Sequence, residues 1–123
     1  MTIRRLLAWS WTLVILVLCW LPRSMMPVKE AGARPFLFPN FDKVVHLGIF
    51  AVFAFLWMNV GPRAGRVLFA GLALAILSEV VQELPIVHRD ATFMDGVADM
   101  AGVVAGILVF EGLSRRRAGM PTV

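Results

Sequence analysis

The sequence HRDATFMDGVADMAGVVAGILVF, residues 88–110, ends in a run about as long and as apolar as a membrane-spanning helix. It nevertheless carries Asp95 and Asp99, which are one helical turn apart. Gly102 and Gly106 continue this spacing and form G-x-x-x-G, in which small residues let another helix approach closely. The stretch therefore predicts a helix that packs inside a membrane bundle and carries two acids near its start.

The composition of the whole chain favours a membrane protein. Its 123 residues are 59% hydrophobic and only 16% charged, and the mean hydropathy is +0.80. The formal charge is +4, but the basic residues form short clusters between apolar blocks, without a basic stripe or a recognition motif for nucleic acid. We therefore expect a single membrane domain over residues 1–123, with no nucleic-acid partner and with basic residues that set topology and contact anionic lipid.

Apolar blocks long enough to span a bilayer recur along the chain. As a helix rising about 1.5 Å per residue, each block covers most or all of a hydrocarbon core roughly 30 Å thick. Helices are favoured because isolated strands would leave backbone groups unpaired in lipid. The sequence thus predicts an all-α integral membrane bundle of four transmembrane helices. The blocks are residues 6–21, 44–60, 67–84 and 93–113.

Helix-breaking residues fall between the blocks. Pro22 follows the first block, NVGPRAGR at residues 59–66 joins the second to the third, and Pro85 ends the third. The two later connections are short, so neighbouring helices are predicted to be antiparallel. The longer first connection, residues 23–41, is predicted either to lie along the bilayer surface or to form an irregular loop.

The first block begins with a basic segment, as a signal peptide does, but no small-x-small cleavage site follows it. We therefore expect a retained helix. Cys19 is the only cysteine, which excludes an intramolecular disulfide and a thiolate metal site. We expect it to pack as a small apolar residue.

An even number of spans places both termini on one side of the membrane. That side carries seven basic residues, against five on the other side. Because positive charge is retained in the cytoplasm, both termini are predicted to be cytoplasmic. The seven residues are Arg4, Arg5, Arg63, Arg66, Arg115, Arg116 and Arg117.

Polar residues in or beside the apolar blocks converge on the opposite membrane face. They enter the second helix, leave the third, lie in the connection after it and enter the fourth. Several are three or four residues apart, so each helix directs its polar atoms to one side. The sequence therefore predicts a shared polar pocket, whichever way the protein is oriented. Its predicted members are Asp42, Lys43, His46, Glu79, Gln82, Arg89, Asp95 and Asp99.

Glu79 is the residue of this set whose position is hardest to explain by a capping role. It is predicted about five residues before the end of its helix, roughly 7 Å inside the boundary. The helix dipole at a C-terminus opposes negative charge, so capping does not account for it. A carboxylate at a helix centre costs about 2.5–3.5 kcal/mol in a bilayer, and less near an end. The acids are therefore expected to face the bundle or a watery cavity, either paired with cations or partly protonated.

Simpler roles stay open for some of these residues. Thr92 and Asp95 match the spacing of a capping box, and Asp42 fits an N-cap. His46 alone fits a hydrogen-bonded interior histidine. No close metal-binding spacing such as H-E-x-x-H is present, so no metal or other cofactor is expected. Ser78 is disfavoured as a nucleophile because the adjacent acid points in a different direction on a helix.

Two segments of the chain resemble the VanZ-like family of small bacterial membrane proteins. They are DKVVHLGIF, residues 42–50, and SEVVQELPIVHRDATFMDGVADMAGVVAG, residues 78–106. The family's pattern has D-K-x-x-H entering one helix, E-x-x-Q late in the next, an Arg in the following loop, and D-x-x-x-(N/D)-x-x-G-x-x-x-G in the last helix. Asp99 stands where the family frequently has Asn. The residues that match the pattern are Asp42, Lys43, His46, Glu79, Gln82, Arg89, Asp95, Asp99, Gly102 and Gly106.

The resemblance implies a multi-pass protein of the bacterial inner membrane, and the family's namesake confers low-level resistance to the glycopeptide teicoplanin. One hypothesis is that an outward-facing pocket binds or protects an envelope lipid, a cell-wall precursor or a glycopeptide, with Arg89 and Lys43 engaging an anionic group. Another is an enzyme acting on a lipid-linked phosphate or sugar, with His46 and Glu79 as acid and base. The third is structural, with a polar layer that locks helix register in support of a partner complex. The sequence fixes neither the ligand nor the oligomeric state.

Overall fold

The computed structural model describes residues 1–21, 41–85 and 92–119, with the backbone alone at 41 and 42. Its helices are all long and apolar enough to cross a membrane. The described residues contain no strand, so the predicted all-α architecture with four membrane-length helices is confirmed. The helices are α1 (Ile3–Trp20), α2 (Phe41–Val60), α3 (Ala64–Gln82) and α4 (Phe93–Ala118).

The helix ends differ from the predicted blocks by up to five residues. The first three helices each begin three residues earlier than predicted, and α4 continues to Ala118. Apolar composition marks the part of a helix that suits hydrocarbon, whereas backbone hydrogen bonds continue into the polar interface. The basic residues 115–117 form the last turn of α4, where positive charge is favourable to the helix dipole. In contrast, α3 ends at Gln82, two residues before the predicted limit.

The turn between α2 and α3 is short and reverses the chain. Gly61 has φ 118°, a conformation that glycine adopts at little cost. Arg63 is the N-cap of α3, and its carbonyl accepts the backbone N–H groups of Arg66 at 2.9 Å and Val67 at 3.3 Å. The two helices therefore run antiparallel.

The closest backbone approach in the bundle joins α2 to α4. A methyl group at Gly102 would collide with the carbonyl oxygen of Leu47, and one at Gly106 with the carbonyl oxygen of Ala51. A step of four residues along α4 thus matches a step of four residues in the same direction along α2, so these helices run parallel. The arrangement is the close packing that the G-x-x-x-G spacing favours.

Two tryptophan hydrogen bonds attach α1 to α2. Trp11 donates its indole N–H to the carbonyl oxygen of Ile49 at 2.9 Å, and Trp57 donates to the hydroxyl of Thr12 at 3.1 Å. The rings of Trp9 and Trp57 also meet edge to face, with 5.0 Å between their centroids. These contacts give α1 a polar attachment in addition to apolar packing.

The apolar side chains divide between a core and the outer surface. Residues from all four helices form the core, which includes Ile15, Phe50 and Val103, and Cys19 is buried within it. Large apolar side chains such as Phe69 and Leu108 are exposed on the outside of the bundle. An apolar exterior around a small core is expected for helices that contact lipid.

Replacing Gly102 by Ala is expected to destabilise the α2–α4 contact. The new methyl group would meet backbone atoms, including the Ala51 nitrogen at 3.1 Å, and backbone cannot rotate out of the way. We expect the free energy of unfolding in detergent to fall by about 1–3 kcal/mol. Gly112→Ala is the matched control on the same helix, since no atom lies within 4 Å of its added carbon. Equal stabilities of the two variants would contradict the observed contact.

Candidate functional site

The polar side chains collect at the end of the bundle where α2 and α4 begin and α3 ends. Helices α2 and α4 run parallel, and α3 runs opposite to them, with Gly71 facing Val103 and Glu79 facing Gly96. The first turns of two helices therefore meet the last turns of the third. We call this group the polar layer, and its described members are Lys43, His46, Ser78, Glu79, Gln82, Asp95 and Asp99.

Asp95 joins the start of α4 to α2. Its backbone N–H donates to the Thr92 hydroxyl at 3.3 Å, and its Oδ2 accepts the Thr92 backbone N–H at 3.2 Å, which completes a capping box. Its Oδ1 lies 3.5 Å from Nζ of Lys43. The capping role and the polar-layer role, which the sequence left as alternatives, are thus both present in one side chain.

Asp99 and His46 form a short polar contact between α4 and α2. Oδ1 of Asp99 lies 2.8 Å from Nδ1 of His46, and Asp99 is only 2% exposed. In this contact an ionised carboxylate would accept a hydrogen bond from Nδ1–H of the imidazole. The buried acid therefore holds the histidine ring in one orientation.

Glu79 approaches α4 at a glycine. Its Oε1 occupies the space that a side chain at position 96 would need, so its carboxylate faces the backbone of Gly96. The charged side chains of the described residues that act on Glu79 are those of Asp99, Asp95 and Glu83, and all three are carboxylates. Carboxylates therefore concentrate between α3 and α4, whereas the basic side chains among the layer's described members, Lys43 and His46, lie on α2.

Two uncharged residues of α3 complete the layer. Ser78 is 2% exposed and Gln82 is 3% exposed, and they lie four residues apart on one face of the helix. The Ser78 hydroxyl has no hydrogen-bond partner among the described residues. A buried hydroxyl left unsatisfied costs about 1–3 kcal/mol, so this position favours a polar group from water or a ligand. Ser78 is absent from the predicted members of the polar pocket, although its i, i+4 relation to Gln82 places both residues on one face of α3.

Some predicted features change or lie outside the described structure. Because α3 ends at Gln82, Glu79 lies only three residues, or about 4.5 Å, from the helix end, which is less than the 7 Å expected. Helix α2 begins at Phe41, so Asp42 belongs to its first turn and not to the cap position before it. The side chain of Asp42 and the whole of Arg89 lie outside the described residues.

The layer gathers ionisable and hydrogen-bonding side chains at one end of the bundle. Three carboxylates, a buried hydroxyl and a buried amide lie with one ammonium and one imidazole at the end of an apolar bundle. Charge-assisted hydrogen bonds are strong in such surroundings because water competes poorly for them. Among residues 1–21, 41–85 and 92–119, no group of three or more His, Cys, Asp or Glu side chains is arranged to hold a metal ion.

Comparisons with protein-family models, curated proteins and solved structures find no match to this chain. Its class therefore follows from its own fold and site. The four membrane-length helices indicate a multi-pass membrane protein. The Lys43–Asp95 ion pair and the His46–Asp99 contact, with Glu79 beside them, form a polar layer at one end of that bundle.

Removing the Asp99 side chain is expected to destabilise the protein. Asp99→Ala leaves the partly buried His46 without its carboxylate partner, so we expect the free energy of unfolding to fall by about 1–3 kcal/mol in a detergent unfolding titration. Glu83→Ala is the control, because that acid is exposed just after α3, and its effect should stay within about 0.5 kcal/mol. A loss that is no larger for Asp99→Ala than for the control would show that the pair does not form.

Proposed function

We propose that the protein is a VanZ-like protein of the bacterial inner membrane whose polar layer binds a polar group of an envelope lipid, a cell-wall precursor or a glycopeptide. The observation that carries the proposal is the meeting of three helices at Lys43–Asp95, His46–Asp99 and Glu79. Charged residues in a membrane bundle are expensive to maintain, and their convergence from separate parts of the sequence favours a functional site.

The arrangement of charge supports a ligand with hydrogen-bond donors. Lys43 and His46 already have carboxylate partners, whereas the charged side chains acting on Glu79 in the described region are acids. An amine or hydroxyl group would therefore be stabilised beside Glu79. Sugars, amino sugars and peptide amines of envelope precursors and glycopeptides supply such groups. Arg89 keeps its predicted role, which is to engage an anionic group of the same ligand.

A membrane enzyme is the second candidate, and the His46–Asp99 contact of 2.8 Å favours it. A carboxylate that orients an imidazole is a common arrangement for acid or base catalysis. In this role His46 would exchange a proton with a lipid-linked phosphate or sugar, and Glu79 would be the second acid or base. Asp99 would position the histidine ring.

The binding function predicts protection against teicoplanin in a sensitive Gram-positive host. Cells that express the wild type should tolerate a higher concentration of the drug than cells with an empty vector, and Glu79→Gln should lose this protection because the amide lacks the negative charge. Glu111→Gln is the charge-matched control, since Glu111 lies toward the other end of α4. Membrane levels of all three proteins must be quantified and equal.

Each outcome of this experiment separates the hypotheses. If cells with abundant Glu79→Gln protein are still protected, the polar layer does not provide the protection through the charge of Glu79. Loss of the Glu79→Gln protein from the membrane would favour the structural hypothesis instead. If the abundant wild type gives no protection, the glycopeptide ligand is excluded, and native mass spectrometry of copurified envelope lipids then tests the other ligands.

The enzyme hypothesis predicts turnover of a radiolabelled polyprenyl-phosphate substrate by the protein in proteoliposomes. His46→Gln should abolish this turnover, because the amide cannot exchange a proton near neutral pH. Glu111→Gln should retain it. An absence of product with folded wild type, or equal rates for the wild type and His46→Gln, would exclude His46 as an acid or base in this reaction.

A further inference from the structure

An apolar groove lies at the opposite end of the bundle from the polar layer. It has a volume of about 300 Å³ and runs between α1, α2 and α3. Phe53 and Leu74 form its buried inner wall, whereas Trp9 and Ala70 are exposed and place its opening on the outer surface of the bundle. Its size matches the lower end of the range for small-molecule sites, roughly 300–1,000 Å³.

The groove has a single charged residue in its lining, Arg66. The polar groups of Trp57 and Thr12, which also line the groove, already have hydrogen-bond partners. Trp57 donates to the Thr12 hydroxyl at 3.1 Å, and Thr12 donates to the Ala8 carbonyl at 2.8 Å. Arg66 is exposed, and no ion pair joins it to an acid of the described region. The lining of the groove is thus almost entirely apolar, and Arg66 is the one charged residue of the described region that contributes to it.

The charged residues around the groove are mostly basic. Among the described residues, this end of the bundle carries seven arginines and one acid, Glu111, whereas the remaining described acids lie at the polar layer or beside it. Helix α3 also begins here with no side-chain cap and no acid in its first turn, so its unpaired N–H groups add positive potential. An anionic group at the groove would find complementary charge.

We propose that this groove binds one anionic phospholipid of the surrounding bilayer. An acyl chain lies along Phe53 and Leu74, and the phosphate contacts the guanidinium of Arg66. The opening on the outer surface faces the acyl chains that surround a membrane bundle, and a planar guanidinium suits a phosphate through paired hydrogen bonds. The inference is independent of the ligand of the polar layer, which lies at the other end of the helices.

Tryptophan fluorescence tests this proposal, because Trp9 and Trp57 line the groove. The full-length protein in detergent is titrated with phosphatidylglycerol or phosphatidylcholine that carries the same brominated acyl chains, since bromine quenches nearby tryptophan. We expect half-maximal quenching at about a tenfold lower concentration of the anionic lipid, as one added charge-assisted contact would give. Equal concentrations for the two lipids would overturn the proposal.

Three variants distinguish binding in the groove from general attraction to an arginine-rich surface. Arg66→Gln should weaken binding of phosphatidylglycerol about tenfold, whereas Arg116→Gln, an exposed arginine at the end of α4, should leave it unchanged. Ala70→Phe, which narrows the groove without changing charge, should also weaken binding. Equal effects of the two arginine variants, or unaltered binding by Ala70→Phe, would overturn the assignment. So would a protein dimer whose formation removes the quenching, because a second copy would then occupy the groove.

Discussion

The close approach of the α2 and α4 backbones is the constraint on which the polar layer depends. Gly102 and Gly106 leave space for the carbonyl oxygens of α2, so the two parallel helices lie nearer than ordinary side chains would permit. At that separation the short side chain of Asp99 reaches His46 at 2.8 Å. The same stagger brings Asp95 to Lys43, and a larger separation would break both contacts.

The electrostatics of the bundle differ at its two ends. At the polar layer, acids from α3 and α4 meet Lys43 and His46 of α2, and the Lys43–Asp95 ion pair balances part of the charge within the protein. At the other end, arginines dominate among the described residues and lie at helix ends that are exposed. The ligand proposed for the first end therefore supplies hydrogen-bond donors, whereas the ligand proposed for the second end supplies an anionic headgroup. An intervening apolar core keeps the two ends separate.

The architecture was predictable because a bilayer requires long apolar helices, and such segments can be recognised in a sequence. The convergence of Glu79, Asp95 and His46 on one face was also predictable, since alternate helices of an antiparallel series bring these positions to one end. The pairing of each acid with its basic partner was not predictable. That choice depends on the rotation and stagger of α2 against α4, which residue spacing within one helix leaves undetermined. The i, i+4 relation to Gln82 indicates the face of α3 on which Ser78 lies, but the burial of its hydroxyl without a hydrogen-bond partner in the described region depends on the neighbouring helices.

A double-mutant cycle between His46 and Asp99 tests the α2–α4 register most directly. The free energies of unfolding of the wild type, His46→Ala, Asp99→Ala and the double variant would be measured in the same detergent. Contact between the two side chains predicts a coupling energy of about 0.5–3 kcal/mol, with the double variant less destabilised than the sum of the single variants. Additive effects of the two substitutions would show that the side chains do not interact, and would contradict the helix arrangement on which the polar layer depends.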